Sequence, residues 1–137
     1  MRLPTPRRLD RGWQSPLTPH KEVIPMIKAT FQKEEDKSIT MTLEGHAKSN
    51  DEGKDLICAS ASILCYTLAQ SLEYIKKQGG IKRLRTKLDS GYARIKCYPT
   101  EDYYDVVLNT YFVAEVGYNL LAHNFPEYVE VKLFGEA

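Results

Sequence analysis

Apolar and polar residues begin to alternate at Ile27. Ile27, Ala29 and Phe31 fall on one side of an extended chain, and Lys28, Thr30 and Gln32 on the other. A period of two predicts a half-buried strand. Charged residues 33–37 interrupt it as a turn, after which Ile39, Met41 and Leu43 alternate with Ser38, Thr40, Thr42 and Glu44, so the two runs predict a β-hairpin. Polar, glycine-bearing residues 45–54 have the composition of a loop. The period then changes: Ile57, Ala61, Leu64, Leu68, Leu72 and Ile75 recur every three or four residues, one face of a helix over 56–77. Asp55 stands just before this run, where a carboxylate can accept from open backbone N–H groups as an N-cap. Gly79-Gly80 ends the helix.

A second hairpin is predicted from 81–88 and 91–98 about the turn Asp89-Ser90-Gly91, with Ala93, Ile95 and Cys97 facing one way and Tyr92, Arg94, Lys96 and Tyr98 the other. A second helix is expected over about 102–123, with a wide apolar arc that takes in Val106, Val107, Val113, Ala114, Gly117, Leu120 and Leu121. Gly117 weakens a helix, so a close approach to a neighbour is the reason to expect it there. Pro126 follows, and Val129, Val131 and Leu133 alternate as a last strand. The order ββ-α-ββ-α-β predicts an α+β fold, a two-layer sandwich in which both helices cover one face of a mainly antiparallel five-stranded sheet.

Residues 1–25 do not share this patterning. They hold five of the seven prolines and no hydrophobic period, and such a segment cannot bury enough apolar surface to offset the entropy of ordering it. They are read as a disordered N-terminal extension, cloning-derived or mis-started, and 26–137 as a single domain. Net charge is +1 for the whole chain. Arg2, Arg7, Arg8, Arg11 and Lys21 against Asp10 and Glu22 make the extension basic, which leaves the domain mildly acidic. No basic face, and hence no nucleic-acid partner, is expected on that balance. No stretch is expected to be long or apolar enough to span a membrane, and no apolar signal segment opens the chain. Cys58, Cys65 and Cys97 match neither a disulfide framework nor a zinc spacing, which points to reduced thiols and a cytoplasmic protein. The nine tyrosines are assigned mostly to sheet faces or an interface.

Cys58 would be the third residue of its helix if Asp55 is the cap. The positive end of the helix dipole then favours its thiolate, and the N–H groups of Cys58 and Ala59 could stabilise an oxyanion. His46, twelve residues earlier and just past a strand end, could exchange a proton with that thiol. Against this stands the plainer reading that a cysteine early in a helix is a small buried hydrophobe.

The sequence Gly45-His46-Ala47, followed after a glycine-bearing loop by Asp55-Leu56-Ile57-Cys58-Ala59 and then Ser62, resembles the ribosomal-processing cysteine protease (Prp) family. Its marks are a Gly-His-Ala triplet and, after a short glycine-containing loop, an Asp-Ile-Val-Cys-Ala run with a serine four residues beyond the cysteine. The resemblance covers the chain from Met26 onward, with Leu56-Ile57 in place of the usual Ile-Val. It implies a homodimeric α+β cysteine endopeptidase with a Cys-His dyad and neither metal nor organic cofactor. Its implied substrate is a ribosomal protein precursor, the twenty-seventh protein of the large subunit, which loses a short N-terminal extension before ribosome assembly. By position His46 is the base and Cys58 the nucleophile. Gly45 is the hinge of a movable 46–54 loop, Asp55 the cap of the catalytic helix, and Ser62 a support one turn along.

Other histidines and cysteines have plainer roles. Cys65 and Cys97 are expected in the core, His123 as a cation at a helix C-terminus, and His20 belongs to the extension. The rival functions are a non-catalytic ribosome-associated or protein-interaction domain on the same fold, and a phage-encoded protease with another target. A thiol-redox role is disfavoured because Cys65, two turns along the helix, lies about 10 Å from Cys58.

Overall fold

The opening alternation forms β1 (Ile27–Lys33), paired antiparallel with β2 (Ile39–Glu44) so that Ala29 meets Leu43 and Phe31 meets Met41. The computed structural model describes residues 27–45 and 52–133, the first four of the second stretch by backbone alone; the proposed extension, 1–25, lies outside the described residues. Asp36 closes the β1–β2 turn by accepting from both the backbone N–H (3.0 Å) and the hydroxyl (2.7 Å) of Ser38. The first helix, α1, runs Glu52–Lys77, and the second hairpin comprises β3 (Ile81–Asp89) and β4 (Tyr92–Pro99). Then come α2 (Tyr104–Asn124) and β5 (Val129–Leu133). Element order and layering are those the patterning predicts.

Strand order across the sheet is β3-β4-β2-β1-β5. Three pairings are antiparallel and the fourth, β1 with β5, is parallel, so the sheet is mixed. Ile27, Ala29, Phe31, Met41, Ile95 and Cys97 point from the sheet into one core, and meet Ile57, Ala61, Leu68 and Leu72 of α1 and Val107 and Ala114 of α2. At about 25 cal/mol per Å² of apolar surface, this shared core is the main stabilising term.

The end of α1 follows from its glycines. Gly79 adopts φ +87°, a left-handed value that costs any residue with a Cβ about 1–2 kcal/mol. Its N–H donates to the Lys76 carbonyl at 2.9 Å, and that of Gly80 to the Ile75 carbonyl at 3.0 Å, the paired closure that satisfies the last open carbonyls of a helix. The helices cross where Gly117 faces Leu64: a Cβ on Gly117 would sit 2.6 Å from Leu64 Cδ2. The close approach expected of Gly117 is therefore present, and Leu64 fills the space.

Several expectations need correction. First, α1 begins at Glu52, so Asp55 lies inside its first turn and is not the N-cap. Second, Leu56–Lys77 is by length and composition apolar enough to cross a membrane, contrary to the expectation. Its inward residues nonetheless pack on the sheet as a core helix. Third, the core face of α2 is narrower than the apolar arc: Val107, Tyr111, Ala114 and Tyr118 are buried, whereas Val106, Val113 and Leu120 are exposed, Val113 at 68%. Fourth, Tyr111 and Tyr118 belong to the core because carbonyl oxygens receive their hydroxyls. The Tyr111 hydroxyl points its proton between the carbonyls of Ile39 (3.0 Å) and Ile95 (2.9 Å) on adjacent strands. Fifth, the sheet gathers Arg83, Arg85, Arg94 and Lys96 on its outer face, so a basic face does exist. Pairing register produces it, and net charge conceals it.

Candidate active site

A cleft of about 520 Å³ opens between α1, the end of β2 and the β3–β4 turn. Ligand sites commonly fall in this size range. Leu43 and Gly45 form one wall, Cys58, Ser62 and Tyr66 of α1 another, and the hairpin contributes Leu88 to Ala93. The wall from α1 follows from helical spacing: Cys58, Ser62 and Tyr66 are four apart and so share a face. Two more residues of α1, Ala61 and Cys65, complete that wall.

All three cysteines are thiols, and the fold separates them by burial. Cys58 is half-buried at the cleft. Cys65 also borders the cleft but is 3% exposed, and burial pushes its thiol up to about 11. Cys97 lies within the sheet core, where burial pushes it up to about 12. A thiol held neutral is a poor nucleophile, which leaves Cys58, half-buried at the cleft, as the candidate among the three.

Gly45 ends β2 with φ +90° and donates its N–H to the Gly91 carbonyl at 2.9 Å. That bond ties the end of β2 to the tip of the second hairpin, both of them cleft walls. A left-handed residue here turns the chain away from the strand direction, which glycine does at little steric cost. On the other side, the Tyr118 hydroxyl of α2 donates to the Ala61 carbonyl at 2.8 Å, one turn beyond Cys58. Burial raises the Tyr118 hydroxyl well above the usual phenol range, so it remains a neutral donor. Thus α2 fastens α1 one turn beyond the candidate nucleophile.

Of the sequence-derived site residues, Gly45, Cys58 and Ser62 come together at the cleft. Ala59 is exposed and does not line it. His46 and the Asp55 side chain lie outside the described residues. Because α1 starts at Glu52, Cys58 is in its second turn, not its first. The N–H groups of Cys58 and Ala59 are then directed to the carbonyls of Lys54 and Asp55 within the helix, and the dipole effect fades beyond the first turn. Neither amide is available to an oxyanion in this conformation, which corrects the role given to Ala59.

Residues 26–130 match the family model described as cysteine protease Prp. The chain belongs to the Prp cysteine protease family. Its fold is shared by SMU.848 from Streptococcus mutans, at 29% identity and TM-score 0.60, with 79% of this chain and 93% of that one covered. It is also shared by the ribosomal processing protease Prp of Staphylococcus aureus in complex with a substrate peptide, at 15% identity and TM-score 0.60, over 79% and 99% of the two chains. A structure of the S. aureus Prp with a covalently linked product peptide aligns at 16% identity and TM-score 0.59, with the same coverage. No curated protein matches the chain.

Within this Prp fold, sequence reasoning missed four contributors to the site. Tyr66 could have been found from the four-residue spacing that runs from Cys58 through Ser62. Leu88 and Tyr92 carry no local signal, since only the register of β4 against β2 brings the hairpin tip beside Gly45. Tyr118 acts on the site through Ala61, a contact that links residues 57 positions apart.

Proposed function

We propose that the chain is a cysteine endopeptidase that removes a short N-terminal extension from a large-subunit ribosomal protein, the twenty-seventh, before ribosome assembly. The observation that carries this reading is the placement of a half-buried thiol, Cys58, across one cleft from Gly45, the residue that precedes His46. His46 is the next residue in the chain after Gly45. His46 takes the Cys58 proton as sulfur attacks the scissile carbonyl, then gives it to the departing amine as the C–N bond breaks. Water deprotonated by His46 cleaves the resulting thioester and restores the thiol. Leu43, Tyr66 and Leu88 give the cleft apolar surface suited to the side chains of an extended peptide. The S. aureus relative described with a substrate peptide and with a covalently linked product supports both the peptide substrate and a covalent step.

Gly45 keeps the hinge role that the family resemblance implies, and its left-handed backbone fits a turn at that point. The working form is a homodimer: Val106, Val113, Val116 and Leu120 make an exposed apolar stripe along α2 that a second copy would cover. Reduced, buried thiols fit the cytoplasm.

The test is incubation of the chain with the unprocessed ribosomal protein of its own organism. Cleavage at one site is expected, abolished by Cys58→Ala and slowed about 10²–10⁴-fold by His46→Ala. Processing that survives Cys58→Ala would overturn the mechanism, and an intact precursor would overturn the substrate.

A further inference from the structure

The outer face of the sheet, turned away from both helices and from the cleft, concentrates cations that the sequence disperses. In the β3–β4 pairing Arg83 lies opposite Tyr98, Arg85 opposite Lys96 and Lys87 opposite Arg94. Ala93, Ile95 and Cys97 of β4 point into the core, so the residues between them point outward. Lys87 is engaged by Asp89 at 3.7 Å. Among the described residues no carboxylate is paired with Arg83, Arg85 or Arg94. The Arg83 guanidinium stands 4.5 Å from the centre of the Tyr98 ring, and Lys96 Nζ 5.4 Å from it. The face therefore presents an aromatic ring set between cations on an open antiparallel sheet.

We propose that this face binds single-stranded RNA, with backbone phosphates on Arg83, Arg85, Arg94 and Lys96 and a base stacked on the Tyr98–Arg83 pair. A basic strip tracks the phosphates and an aromatic platform holds bases of any identity, the combination used by sheet-based single-strand binders. An acidic polypeptide would use the cations and leave the ring idle. A membrane surface would favour apolar groups beside the charge, but the exposed aliphatic residues lie largely on the helices, across the sheet. Duplex would leave the ring without an open base to stack on. A hydroxyl favours RNA over DNA: Thr42, opposite Arg94 in the sheet register, is partly exposed on this face. The ribose 2′-OH can act as donor or acceptor to such a group. Since the cleft opens on the opposite side of the sheet, RNA and peptide can be held together, and the inference does not rest on the reading of the cleft.

Fluorescence anisotropy with a labelled single-stranded RNA of about 12 nucleotides tests it, using the full chain. Saturable binding at low salt is expected, with log K falling against log salt at a slope near −3, about 0.7 for each of the phosphates engaged. Arg85→Glu with Arg94→Glu should weaken binding at least about tenfold and roughly halve that slope. The milder Arg85→Gln with Arg94→Gln should lower the slope in the same sense if charge reversal impairs folding. Tyr98→Ala, with all cations kept, should cost about tenfold with little change of slope. Absence of saturable binding overturns the proposal, as does a slope unchanged by both double variants. Single-stranded DNA or duplex RNA that binds as tightly as single-stranded RNA also overturns it. Polyglutamate or phosphatidylglycerol vesicles that displace the RNA at equal charge concentration would show a general polyanion surface and overturn it as well.

Discussion

Burial alone distinguishes the three thiols. Cys65 and Cys97, at 3% and 0% exposure, are held neutral well above their ordinary range, whereas Cys58 stands half-buried at a cleft. Iodoacetamide near pH 8 is therefore expected to alkylate Cys58 first, because only about one in a thousand Cys65 thiols is ionised there. Mass-spectrometric mapping of the label checks this, and equal labelling of Cys58 and Cys65 would refute it. The candidacy of Cys58 was legible from its neighbours in the sequence, and the core position of Cys97 from alternation. The buried tyrosines were not, since their burial depends on carbonyls at Ile39, Ile95 and Ala61 that no local pattern reveals.

The helices show where a periodic pattern stops being informative. The apolar run of α1 begins at Leu56, yet the helix begins at Glu52, because its first turn needs backbone hydrogen bonds and no core contact. Glu52, Gly53, Lys54 and Asp55 therefore have the composition of a loop while they form a helix. The crossing at Gly117 was legible because glycine within an apolar helix calls for a packing reason. Gly117→Ala sets a helix-propensity gain of about 1 kcal/mol against the displacement of Leu64, whose Cδ2, Cδ1 and Cγ would lie 2.6, 3.0 and 3.3 Å from the new methyl. Overpacking costs of about 1–3 kcal/mol make the net effect a loss of about 1 kcal/mol. The same substitution should become stabilising in a Leu64→Ala background. Urea unfolding of the four chains checks the change of sign, and a Gly117→Ala loss unaltered by Leu64→Ala would place its cause elsewhere.

Across the whole molecule, the buried ionisable groups set an alkaline limit. The folded values of Cys65 and Cys97, about 11 and 12, lie above the ordinary 9.0 that the unfolded chain keeps. Their stabilisation is complete below about pH 9 and is lost as pH rises through 11–12, because the unfolded form releases those protons first. Tyr111 and Tyr118, also raised by burial, add a contribution of the same sign. The melting temperature should hold from about pH 7 to pH 8.5 and fall steadily above pH 9, a change on the order of a few kcal/mol. Differential scanning calorimetry checks it, and a melting point constant to pH 11 would contradict these burials. Architecture at this scale was legible because four alternating runs, one further hairpin arm and two helical runs allow few arrangements. The outer basic face was not, since it exists only once β3 and β4 are in register.

The parallel pairing of β1 with β5 also bears on synthesis. The first strand to leave the ribosome waits beside an empty position until the last has emerged, and loop closure over such a separation is slow to nucleate. A nascent copy therefore exposes an unpaired β1 edge while β2, β3 and β4 can already pair, and this is the stage at which holding chaperones would have the most to shield.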